Sequence, residues 1–79
     1  MKISGYQCRA ARALLGINQL ELAAMAGVAK QTLADFERGA RTPYARTLDD
    51  VVNALEKAGI QFLPAGDDHG EGVRFRDPG

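Results

Sequence analysis

Apolar positions divide the chain into four stretches of helical period followed by two that alternate. From Gly5 to Leu15, Cys8, Ala11, Leu14 and Leu15 recur at the spacing of one helical face, and Gly16 follows as a stop. Asn18 stands where a side-chain oxygen caps the next helix, with Glu21 three residues on in a capping-box position. Leu22, Ala23 and Ala26 form that helix's apolar stripe, and Gly27 ends it. The pattern restarts at Val28 and runs through Leu33 and Phe36, which predicts a third helix beginning at Ala29, reaching about Arg38 and stopping at Gly39. Gly39 to Pro43 reads as loop, and Thr47, with Asp50 three residues later, is the expected cap of a fourth helix. Leu48, Val51, Val52 and Leu55 give that helix one buried face, with Lys57 in its last turn and Gly59 as terminator. Beyond Gly59 the period falls to two: Ile60 to Leu63 and Gly72 to Arg76 alternate across the polar stretch Pro64 to Glu71, predicting a short hairpin.

These elements describe a mainly α fold of four to five helices with a C-terminal β-hairpin, in one domain. Residues 1–59 form the helical unit, and 60–79 form an appended hairpin and tail. The second and third helices flank a tight turn, a helix-turn-helix. Two helices meeting steeply across so short a turn need a small side chain at their closest approach and a residue that tolerates positive φ between them, and Ala23 and Gly27 supply these. Leu22, Ala26, Val28, Leu33 and Phe36 fall where they lock the pair together.

Composition narrows the function. A core built from 79 residues is only marginally sufficient alone, which favours association. No long apolar run and no leader pattern is present, so a soluble cytoplasmic protein is expected, with no membrane partner. Cys8 is the single cysteine and reads as a small buried residue rather than a reactive thiol. The lone histidine, His69, lies in a Gly/Asp-rich loop with Asp67, Asp68 and Glu71; a surface turn explains that cluster better than a metal site. No nucleophile motif or phosphate cradle appears, so neither catalysis nor any cofactor is expected. Net charge is zero, but residues 1–46 carry seven Lys/Arg against three acids, and the remainder carries the opposite excess. Such segregation prepares one face for a polyanion.

The stretch Gly16-Ile17-Asn18-Gln19-Leu20-Glu21-Leu22-Ala23, with Gly27-Val28, Thr32-Leu33 and Phe36-Glu37-Arg38-Gly39, closely resembles the lambda-repressor/Cro-like (XRE) helix-turn-helix family. The likeness covers about residues 6–59 and includes Arg41-Thr42-Pro43, Thr47-Leu48 and the closing Ala54 to Ile60. It implies a lambda-repressor-like bundle that binds double-stranded DNA as a transcriptional regulator, in the first instance a repressor. By that resemblance the helix beginning at Ala29 enters the major groove, and Lys30, Gln31, Thr32 and Asp35 face DNA. Gln31 can pair bidentately with adenine, Lys30 can donate to guanine or phosphate, and Thr32 can touch a base edge. Gln19 matches a glutamine that contacts the DNA backbone in relatives, and Arg38, Arg41 and Thr42 stand where relatives touch phosphate, with Tyr44 beside them. Arg12 and Glu37 occupy the positions of a partly buried structural ion pair.

The sequence departs from the family at three points, one being Leu20 and Met25, which take positions often polar in relatives and either pack on the first helix, as expected, or lie exposed. Ala29 replaces the usual Ser or Thr cap of the third helix, and Asp35 puts an anion on the groove face.

The resemblance also implies a β tail that joins subunits, so Ile60, Phe62, Val73 and Phe75 are read as a dimerisation surface. A two-fold dimer requires a pseudo-palindromic operator with half-sites about one turn, or roughly 34 Å, apart. The rival reading is an antitoxin: the same DNA-binding dimer, which also binds a toxin protein through the β tail, Leu20 or Met25 and represses its own operon.

Overall fold

The computed structural model describes residues 1–79: α1 (Gly5–Leu15), α2 (Gln19–Ala26), α3 (Lys30–Glu37), α4 (Ala45–Lys57), β1 (Ile60–Leu63) and β2 (Gly72–Phe75). Each helix end has a local cause. Ser4 caps α1 and Asn18 caps α2, each in a closed capping box, with Gln7 and Glu21 as the returning side chains. Gly16 and Gly27 end the same two helices at φ of 69° and 70°, the left-handed region where a Cβ is costly. α3 starts behind Ala29 with no side-chain cap bond, and Arg38 closes it.

α4 corrects the expected start. It begins at Ala45, two residues before Thr47, behind Tyr44 as a backbone-only cap with extended geometry (φ −56°, ψ 151°). Pro43 holds the chain out of the helix up to that point, and Ala45 and Arg46 favour helix strongly enough to extend it back to the proline's neighbour. Thr47 therefore lies inside the first turn.

Leu22, Leu33, Val51, Leu55, Ile60 and Cys8 are the most enclosed side chains of one continuous core, which Ile3, Ala11, Ala23, Phe36, Leu48, Val52 and Phe62 complete. α2 packs on α3 and α4, α1 on α3 and β2, and β1 on α4. Leu14, expected inside, is exposed at the end of α1. Leu20 and Met25 are likewise exposed, against expectation. At 3.6 residues per turn both lie roughly 100° from the centre of the Leu22–Ala23–Ala26 arc, on opposite flanks of α2.

The hairpin is antiparallel, with Ile60 opposite Phe75 and Phe62 opposite Val73, so these four side chains share one face. Arg76 continues the pairing by donating its N–H to the Gly59 carbonyl at 2.8 Å. Ile60 and Phe62 are enclosed by the helices of their own chain, whereas Val73 is half-buried and Phe75 is 48% exposed. Of this face, the β1 side chains meet the helices, where β1 lies next to α4, and the β2 side chains remain at the surface. Gln7 secures the hairpin's loop end: its buried side-chain amide donates to the Leu63 and Gly72 carbonyls at 3.2 and 3.0 Å. Ser4 donates its hydroxyl to the Glu71 carboxylate.

Candidate nucleic-acid interface

α3 presents a polar outer face because Leu33 and Phe36 turn inward against α1 and α2. Lys30, Gln31 and Arg38 are exposed, and Thr32 and Asp35 are half-buried. Gln31, Asp35 and Arg38 follow one another at four- and three-residue steps and are bonded together. Asp35 Oδ1 accepts from Gln31 Nε2 at 2.9 Å and from Arg38 Nη2 at 2.8 Å and Nε at 3.3 Å. These bonds, Arg38's foremost, hold the Asp35 carboxyl below the usual carboxylate range.

Beside this face the N-terminal ends of α3 and α4 open on a common cleft, lined by Ala29, Thr32, Arg41, Thr42, Tyr44 and Thr47 among others. Neither helix has a side-chain cap there. Their first-turn amides have no side-chain acceptor, and both helix dipoles present their positive ends toward the cleft. Arg41 and Thr42 are exposed on its wall, and Asp50 is the one acid lining it. The arrangement suits an anion such as a phosphate group.

Beneath α3, Arg12 and Glu37 form a bidentate pair, with Nε to Oε2 at 2.7 Å and Nη2 to Oε1 at 2.6 Å. The side chains are 16% and 3% exposed. Cys8 donates its thiol to the same carboxylate at 3.2 Å, and Arg12 Nη1 also donates to the Ile17 carbonyl. Gln19 is half-buried and turned inward, its Nε2 donating to Glu37 Oε1 at 3.1 Å, so the side chain expected on the DNA backbone is anchored to the ion pair. Burial alone pushes the Glu37 carboxyl up, but the bonds from Arg12, Gln19 and Cys8 outweigh it and hold the group below its ordinary value. Burial, then the contact with Glu37, pushes the Cys8 thiol well above its ordinary range.

The structure thus brings Lys30, Gln31, Thr32, Asp35 and Arg38 onto one helix and places Arg41 and Thr42 beside its start. Arg12, Gln19 and Glu37 lie together beneath it, and Val73 and Phe75 lie apart on the hairpin. Sequence reasoning missed the uncapped start of α4 at the cleft and the docking role of Ser4 and Gln7. Ser-x-x-Gln ahead of an apolar run signals the capping box at the start of α1, but nothing local signals the docking. Away from the helices, Asp68 and His69 bond one another, and no group of three His, Cys, Asp or Glu stands together as a metal site. No helix is long and apolar enough to cross a membrane.

Residues 9–60 match the family model described as Helix-turn-helix. None of the curated proteins matches the chain.

Proposed function

From the premise that this chain belongs to the Cro/C1-type (XRE) helix-turn-helix family of DNA-binding transcription regulators, we propose that it is a cytoplasmic, homodimeric repressor that reads a pseudo-palindromic operator through α3. The observation that carries this reading is the exposed polar face of α3 lying beside a cleft where two uncapped helix starts meet Arg41 and Thr42. α3 enters the major groove, Lys30, Gln31 and Thr32 meet base edges, and Arg38, Arg41, Thr42 and the first-turn amides hold flanking phosphates. Gln19 gives one amide N–H to Glu37 and keeps the rest of its half-buried amide for the DNA backbone on the other side of the turn.

The hairpin supports the dimer. Phe75 stands exposed, and β2 is one of only two strands, with an outer edge free to pair with a second chain. Selection of bound sequences from randomised duplex DNA at near-physiological salt tests the reading. The wild-type protein is expected to enrich a two-fold motif that weakens or changes in Lys30→Ala/Gln31→Ala. Recovery of DNA without any motif, lost on modest addition of salt, would leave only non-specific binding.

The exposure of Leu20 and Met25 favours a second reading, the antitoxin, in which these side chains meet a toxin protein. Co-expression with the neighbouring gene's product distinguishes the two. Co-purification that Leu20→Lys abolishes without affecting DNA binding supports the antitoxin, and its absence supports the plain repressor.

A further inference from the structure

We propose that Asp35 is a positioning residue that sets specificity: its carboxylate holds the Gln31 amide edge-on for base reading, while Arg38 neutralises the charge that Asp35 brings to the groove. This rests on the reading of α3 as the helix in the major groove. A carboxylate only accepts hydrogen bonds, so the Gln31 group facing it at 2.9 Å is the amide nitrogen, which settles which end of the amide points where. With the N–H trans to the carbonyl spent on Asp35, the cis N–H and the carbonyl oxygen stay side by side, the donor–acceptor pair that adenine N7 and N6 match.

An unsupported glutamine on a surface helix samples many rotamers and presents either edge, and binding must then order it. Asp35 orders it in advance. Its side chain is only 17% exposed, against 67% for Arg38, so the carboxylate sits low between two longer side chains and acts through them. Without Arg38 it would repel the phosphates on either side of the groove; the two bonds from that guanidinium remove the conflict.

The test compares base preferences, selected from randomised duplex, for the wild type, Gln31→Ala, Asp35→Ala, Asp35→Asn and the Gln31→Ala/Asp35→Ala double variant. Thermal melts verify that each is folded. Asp35→Ala is expected to relax preference at the base position that Gln31→Ala relaxes, by roughly three- to tenfold, part of what a bidentate pair supplies. The double variant should be no worse than Gln31→Ala at that position. Asp35→Asn, whose amide oxygen still accepts from Gln31, should retain the preference there. In the free protein, the Gln31 side-chain amide resonances should move to the solvent-exposed range in Asp35→Ala and not in Asp35→Asn.

A change at a base position indifferent to Gln31 would overturn the proposal in favour of direct reading by Asp35. An unchanged profile would reduce the bonds to helix-surface pairing. Either result, with a wild-type motif that still depends on Gln31, sinks this inference alone; a wild type that selects no motif sinks the reading of α3 and this inference with it.

Discussion

At the scale of single residues, Glu37 is the most connected polar group, with both carboxylate oxygens engaged and its side chain 3% exposed. A folded-state pKa held below the unfolded value contributes stability that is fully present above the unfolded value, about 4.3 for a glutamate, and is lost as pH falls through the folded one. Thermal stability should therefore be level from neutral pH down to the carboxylate range and fall below it, and the acid-side slope measured by calorimetry should be shallower in Glu37→Gln. Arg12→Ala leaves the carboxylate buried without its counter-charge and should cost about 3 kcal/mol in urea unfolding. Gly5 matters for a different reason. A Cβ there would overlap the Phe36 carbonyl oxygen at the crossing of α1 and α3, so Gly5→Ala should destabilise by about 1–3 kcal/mol despite its better helix propensity. The same melts check it.

Among the elements, α3 is the least supported at its start. Ala29 has the extended geometry of a cap (φ −71°, ψ 139°) and no side chain to accept from the first turn. Ala29→Ser supplies that acceptor without altering the backbone and should raise stability by about 1 kcal/mol, read as a higher melting temperature. If the melting temperature is unchanged, the first-turn amides are already satisfied by water. At α4 the missing cap has a functional side in the proposed reading. Its open amides face the cleft with Arg41 and Thr42, where a side-chain cap would compete with phosphate for the same donors.

For the whole molecule, a net charge of zero conceals the basic excess of residues 1–46. DNA affinity should fall steeply with salt, and Arg41→Ala should weaken binding about equally for all sequences while reducing the logarithmic salt slope by about one. The proposed dimer belongs to this scale too. With Ile60 and Phe62 enclosed in their own chain, Phe75 is the apolar side chain the hairpin can offer a second copy, and Phe75→Glu should yield monomers in sedimentation without unfolding the helices. A dimer that persists in that variant would move the interface elsewhere, with the exposed flanks of α2 the next place to look.

The sequence by itself determined the elements and the family. Asn18 with Glu21, the glycines at 16, 27 and 39, and the 3.6-residue recurrence of apolar positions act over one or two turns, and short-range causes can be read from a linear pattern. The same holds for the pairing of Arg12 with Glu37, which the family pattern carried across 25 positions. Only the tertiary structure decided where amphipathic neighbours turn. Leu20 and Met25 point outward because α2's inward arc is already filled, and Ile60 and Phe62 point inward because α4 leaves a face that β1 alone covers. Gln19 turns to Glu37, and Gln7 reaches the hairpin carbonyls 56 and 65 residues away. Such contacts depend on which surfaces meet and on which polar groups then need partners, and both are set by packing between elements distant in the chain.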